Sequence, residues 1–147
     1  MQPETVEDCL RAARNLLSIR EHSKWELARK LSQRRFSKAV IAESLNALEE
    51  EGSLSETRYL REKVRSLILK NYGPSYIELY LKERGLQLPQ SLLMEVYDQL
   101  DLSPEQQIKN FLERNSSLDT QKVEARLWRR GFKMEHIRNS LKDLEAF

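Results

Sequence analysis

The sequence predicts an all-α protein of three tandem three-helix repeats, over 1–53, 54–102 and 103–147, stacked into an elongated, curved array. Three observations predict it. Apolar residues recur at helical spacing along the chain, and no convincing alternating strand appears. Helix-capping residues fall at regular intervals between the apolar stripes. One segment also recurs three times. The stretch "LARKLSQRRFSKAVIAESLNALE" (Leu27 to Glu49) aligns without a gap on "VEARLWRRGFKMEHIRNSLKDLE" (Val123 to Glu145). Leu31 falls on Leu127, Arg34 on Arg130, Phe36 on Phe132, Ile41 on Ile137, Leu45 on Leu141 and Leu48 on Leu144. A middle copy supplies Ile77, Leu81, Arg84, Gly85 and Leu86. Stacked copies of one unit bury a shared core and usually present a binding surface rather than a single special pocket.

Thr5, with Asp8 three residues on, caps a first helix that turns Val6, Cys9, Ala13, Leu16 and Leu17 inward and ends near Glu21. Ser23 and Glu26 form a capping box for the second helix, which buries Leu27, Ala28 and Leu31. Phe36 closes the turn behind it. Ser37 caps a third helix carrying Ile41, Leu45 and Leu48, and Gly52 stops it. The middle repeat opens at Ser55 with a long helix to about Asn71, its stripe made of Tyr59, Leu60, Val64, Leu67 and Ile68. Gly73 and Pro74 fall at the cap and first turn of the next helix, where the missing proline donor is harmless. Pro89 starts the following helix in the same way. Ser103, Pro104 and Gln106 form a second capping box, and Asp119 caps the helix that leads into "RRGF", Arg129 to Phe132.

Gly85 and Gly131 occupy one slot just after their helices, where a left-handed residue lets the chain turn sharply. The first repeat has Arg35 there, and a non-glycine residue in that conformation costs about 1 kcal/mol. Either the first turn differs in shape or Arg35 is kept for its charge. On the second reading, Arg35→Gly stabilises the fold slightly and weakens partner binding.

Composition narrows the function. Hydrophobic residues make up 39% and charged residues 33%, a ratio that suits thin helical layers with one buried stripe and a wide wet face. Four Gly and four Pro leave little for long loops. The net charge of +2 arises from 25 basic and 23 acidic residues, unlike a strongly basic nucleic-acid binder, so any such contact rests on local patches. Cys9 is the only cysteine, which excludes an internal disulfide and a thiolate metal cluster. At helical spacing with Val6, Ala13 and Leu16 it reads as a small apolar core residue. No apolar run reaches membrane-spanning length and no signal peptide opens the chain, so the expected location is the cytoplasm.

Four motifs together carry a resemblance. "REHSKWELARKL" (Arg20 to Leu31) resembles the opening motif of the RecX family, bacterial regulators of the RecA recombinase. "GSLSETRY" (Gly52 to Tyr59) is similar to that family's G-x-L-x-D-x-R-F/Y linker, with Glu56 at the usual aspartate position. "YGPSYIELYLKERGL" (Tyr72 to Leu86) resembles its second-unit motif, and "RLWRRGF" (Arg126 to Phe132) its third. The resemblance covers nearly the whole chain, and the order and spacing of the motifs make it specific. It implies a monomeric cytoplasmic modulator that lies along the groove of RecA filaments, touching neighbouring protomers and bound DNA. It further implies inhibition of filament growth, ATP hydrolysis, strand exchange and coprotease activity, and so an influence on DNA repair, recombination and the SOS response. The short stretch ahead of the first helix leaves no room for an extra regulatory arm on this reading.

Catalysis finds little support. His22 and His136 lie in different repeats without a metal-ligand pattern. His22 reads as a cap or surface residue and His136 as a solvated helix residue. There is no Gly-rich phosphate loop and no nucleophile constellation, so no enzyme activity, cofactor or metal is expected.

The basic residues are the candidate binding set. The second helix of the first repeat and its turn carry Arg29, Lys30, Arg34 and Arg35; the long middle helix carries Arg58, Arg61 and Arg65; Arg84 follows; the last repeat carries Arg126, Arg129 and Arg130. Arg34, Arg84 and Arg130 share one slot. With a regular rotation between repeats they form a row suited to an extended polyanion or the acidic wall of a filament. The competing reading is a solvated face interleaved with Glu26, Glu83 and Glu124, or pairing with an adjacent repeat. Trp25 and Trp128 lie off the apolar stripes, either packing on the next repeat or awaiting a partner, and Tyr76 and Tyr80 pose the same choice.

Two functions follow. One is a filament modulator binding a recombinase, with single- or double-stranded DNA as a secondary contact. The alternative is an autonomous helical nucleic-acid-binding protein, against which stand Glu43, Glu49, Glu50 and Glu51 on a would-be recognition helix.

Overall fold

The computed structural model describes the backbone of residues 5–145 and the side chains of 5–143. Among the described residues there are nine helices and no strand: α1 Val6–Ile19, α2 Lys24–Gln33, α3 Lys38–Glu50, α4 Glu56–Leu69, α5 Pro74–Lys82, α6 Gln90–Leu100, α7 Pro104–Arg114, α8 Thr120–Arg129 and α9 Met134–Glu145. The fold is all-α and built from three-helix repeats, as the apolar periodicity predicts. The aligned position Leu144 has its side chain outside the described residues. The chain divides into two compact units, one ending at Glu62 and the other beginning at Lys63.

In the first unit, each helix starts where a short polar side chain satisfies an otherwise orphaned N–H. Thr5 Oγ1 accepts from the Asp8 N–H at 3.1 Å, and Ser37 Oγ from the Val40 N–H at 3.2 Å. Ser23 and Glu26 make the full reciprocal box. The stripes these starts put in register meet as one core of Cys9, Ala13, Leu27, Leu31, Phe36, Ile41, Leu48 and Leu54. Leu27, Leu31 and Leu48 are fully buried, so truncating any of them to Ala costs about 2–5 kcal/mol. Glu56, at the position where the resemblance expects aspartate, accepts from the Lys24 backbone N–H at 3.2 Å and so steadies the start of α2.

The turn slot has one shape in all three repeats. Arg35, Gly85 and Gly131 have φ of 72°, 73° and 93°. The N–H of the next residue (Phe36, Leu86, Phe132) donates back to Leu31, Leu81 and Leu127. These bonds satisfy helix-end carbonyls in the Schellman manner. The first turn therefore does not differ in shape, and Arg35 carries the left-handed strain.

In the second unit, one apolar core joins Ile108, Leu112, Val123, Leu127, Phe132 and Ile137. Two of the expected helix starts differ in detail. Pro89 is the N-cap of α6 and the helix begins at Gln90. Only half of the second capping box forms: Ser103 Oγ accepts from the Gln106 N–H at 3.0 Å, but the Gln106 amide reaches forward to Asn110 Oδ1 at 3.1 Å. A mid-helix neighbour one turn ahead competes successfully for that side chain.

The joint between α4, α5 and α8 is built from polar backbone. The Gly73 N–H donates to the Arg130 carbonyl at 2.7 Å and the Ser75 N–H to the Gly131 carbonyl at 3.0 Å. The orphan donors at the start of α5 thus meet the orphan acceptors at the end of α8. A Cβ on Gly131 would run into the Tyr76 backbone, and one on Gly73 into the Gly131 carbonyl. Only glycine permits that approach.

Candidate partner-binding surface

The structure sorts the candidate cations into those tied into the fold and those facing solvent. Arg58 is tied. Its Nε donates to Glu21 Oε1 at 2.8 Å, and its Nη2 to the Gly52 and Ser53 carbonyls at 2.7 and 3.2 Å. The guanidinium pins the loop between α3 and α4. Lys30 is tied too: its ammonium donates to His22 Nε2 at 2.9 Å. His22 is 1% exposed, which corrects its reading as a surface residue. Lys30 has only donors, so Nε2 must hold the lone pair and Nδ1–H must face the Arg20 carbonyl 3.0 Å away. Burial lowers the His22 pKa below 6.5, and the imidazole is neutral. His136 is likewise not solvated: it is half-buried, its Nε2 3.5 Å from Glu105.

Arg84 and Arg130 lie at opposite ends of one aromatic stack. Tyr72 and Tyr76 stack with centroids 3.9 Å apart, and Tyr76 and Tyr80 at 6.4 Å. The Arg130 guanidinium lies 4.5 Å above Tyr72 and that of Arg84 3.6 Å above Tyr80, with the Lys63 ammonium 5.5 Å from the Tyr80 ring. Arg130 also donates to the Asn71 carbonyl at 2.9 Å and to the Lys70 carbonyl, closing the C-terminal end of α4. Arg84 Nη1 donates to the Tyr80 carbonyl at 2.9 Å. Burial, with help from Tyr72, pushes the Tyr76 phenol above its usual 10.0. Stacking spacing of i, i+4 along α5 explains Tyr76 and Tyr80; Tyr72 joins from the end of α4.

Facing solvent are Arg29, Arg34 and Arg35 in the first unit and Arg65, Arg126 and Arg129 in the second; Arg61 is half-buried. Trp25 and Trp128 are 52% and 61% exposed, so neither is inter-repeat core. Arg29 lies 5.3 Å over the Trp25 ring. Among the described residues no three His, Cys, Asp or Glu side chains converge as a metal site, and no helix is long and apolar enough to cross a membrane.

Residues 9–48 match the family model of the RecX first three-helix domain, whose end points Cys9 and Leu48 are both fully buried in the first core. Regulatory protein RecX of Pseudomonas fluorescens (strain SBW25) is 44% identical over 84 residues, 57% of this chain and 54% of that protein. Regulatory protein RecX of Pseudomonas putida (strain GB-1) is 49% identical over 76 residues, 52% of this chain and 49% of that protein. The chain belongs to the RecX family. The matched stretch spans about half the length of these curated RecX relatives. In fold, the chain is similar to the crystal structure of RecX from Lactobacillus salivarius, with a TM-score of 0.75, 20% identity and 97% of each chain covered.

Sequence reasoning missed the buried polar centre of this RecX-family chain. Tyr97 Oη donates to Gln107 Oε1 at 2.6 Å, and Gln107 Nε2 donates to the Ile68 and Tyr72 carbonyls at 3.1 and 3.0 Å. Gln107 is 1% exposed. The one available signal was its place on the apolar side of α7, one residue before Ile108.

Proposed function

We propose that this chain is a non-enzymatic regulator that binds the RecA recombinase filament on DNA. It restrains ATPase, recombinase and coprotease activities, and through them DNA repair, recombination and the SOS response. The three-repeat division read from the sequence, a monomeric state and a cytoplasmic location belong to the same proposal. The observation that carries it is the first three-helix domain, matched over residues 9–48 to that of a family whose relatives are named regulatory proteins. On that domain Arg29, Arg34, Arg35 and Trp25 face solvent while Lys30 is held by His22. Exposed arginine beside exposed tryptophan is the composition that dominates protein–protein binding energy.

The test is the ATPase rate of the RecA filament on single-stranded DNA as this chain is added. The expected result is suppression at substoichiometric or stoichiometric chain. Arg34→Glu with Arg35→Glu raises the half-suppressing concentration about tenfold, or about 1.4 kcal/mol. An ATPase rate indifferent to the wild-type chain would sink the proposal. Tight DNA binding with no filament effect would instead support an autonomous nucleic-acid binder. The acidic load of α3, where Glu43 and Glu50 are exposed, argues against that outcome.

A further inference from the structure

Repeat-equivalent positions on the second helix of each repeat have three different fates. In the first repeat they are Glu26, Lys30 and Gln33. Glu26 is taken up by Arg20 and by the capping box, and Lys30 by His22. In the middle repeat they are Tyr76, Tyr80 and Glu83, and the two tyrosines are consumed in the stack. In the last repeat they are Lys122, Arg126 and Arg129, all exposed on α8. No acidic side chain among the described residues pairs with any of these three, and Arg129 engages only its Nε, on the Ala125 carbonyl at 3.3 Å.

At 100° per residue the three cations fall within about 60° of arc, spaced about 6 Å and about 4.5 Å along the axis. They line a shallow concavity of about 420 Å³ with Asp119, Gln121 and Ala125. The one acid there, Asp119, has its carboxylate turned to the Lys122 N–H at 2.9 Å as the helix cap. Glu124 lies on the far side of α8. Beyond Ala125 stands Trp128, 61% exposed, offering a ring face next to the cationic stripe.

We infer that the Lys122–Arg126–Arg129 stripe of α8 is a phosphodiester-binding strip, and that Trp128 beside it stacks on an unpaired base. This rests on the filament-regulator reading and deepens it: the exposed cations of the first unit meet protein, and α8 meets the nucleic-acid strand. A row of cations without interleaved acids suits a ligand that carries one negative charge per repeating unit. An exposed aromatic beside such a row is how sequence-tolerant single-strand binders add affinity. An acidic protein surface would take up the charge but would have no use for the neighbouring indole in this register.

The test uses the full chain and a fluorescently labelled oligo-deoxythymidine, with binding followed by anisotropy across a salt series. Lys122→Gln, Arg126→Gln and Arg129→Gln together reduce the slope of log affinity against log salt by about 2, three contacts at roughly 0.7 each on a single strand. The charge-matched control, Arg29→Gln, Arg34→Gln and Arg35→Gln, leaves that slope in place. Trp128→Phe weakens binding several-fold without changing the slope, and quenching of Trp128 emission in a Trp25→Phe background reports the stacking directly. Helical circular dichroism of each variant shows that it is folded. An unchanged slope in the α8 variant, or an equal fall in the control, overturns the inference. So does an α8 variant that keeps its DNA slope but loses filament suppression, which would place a protein on the stripe. Filament suppression by the wild-type chain is read separately, so the failure of either claim leaves the other visible.

Discussion

The ammonium of Lys30 donates a hydrogen bond to the buried imidazole of His22, 2.9 Å away. The bond exists only while His22 is neutral, and protonation sets two cations face to face with Arg20 close by. Burial is the main cause of the lowered pKa. The unfolded chain therefore takes up this proton first as the pH falls, and folding stability drops with it. Stability from this site is complete above about pH 6.5 and is lost as the pH falls below it, towards the lower folded pKa. Melting temperatures across pH 5 to 8 for the wild type and His22→Gln should converge at the acid end. Parallel curves would show that His22 does not titrate with folding.

Arg130 and Arg126 are four residues apart on one chain segment and differ in what they do. Arg130→Met removes the donors to the Lys70 and Asn71 carbonyls and the cation over Tyr72, at a cost of about 1–3 kcal/mol. Arg126→Met changes stability by no more than about 0.5 kcal/mol, because its side chain is exposed. Urea unfolding separates them. A charge reversal at Arg34, Arg84 and Arg130 therefore mixes a folding defect with any binding defect, and the aligned row is better tested through its exposed members.

The shared left-handed slot gives a graded series. Gly85→Ala meets open space and costs only the strain of the conformation, about 1 kcal/mol. Gly131→Ala meets the same strain and also the Tyr76 backbone, so it disrupts the joint of α5 with α8 and costs about 3 kcal/mol or more. Arg35→Gly relieves strain in the folded chain but loosens the unfolded one, for a net gain of a few tenths of a kcal/mol. Three thermal melts rank them. Equal losses at Gly85 and Gly131 would mean that α5 and α8 do not meet as described.

Tyr97→Phe preserves shape but strips Gln107 Oε1 of its donor in a buried site, which costs about 1–3 kcal/mol. Tyr97→Phe combined with Gln107→Leu recovers part of the tyrosine's share while still leaving the Ile68 and Tyr72 carbonyls without their donor. A double-mutant cycle by chemical denaturation measures the coupling, and additive losses would contradict a shared network.

Helix number, the caps at Thr5, Ser23, Ser37 and Asp119, the turn slot and the apolar stripes were all determined by the sequence alone. Each rests on residues within one or two turns of each other, and local geometry makes such spacing legible. Tertiary structure alone decided which cations are spent. His22 captures Lys30 across eight residues, Glu21 captures Arg58 across a whole helix, and the end of α4 captures Arg130 from the last repeat. Nothing in the spacing of an arginine tells whether a carbonyl from a distant helix end will lie within its reach. Charge is written in the sequence, but its availability depends on what the fold brings beside it.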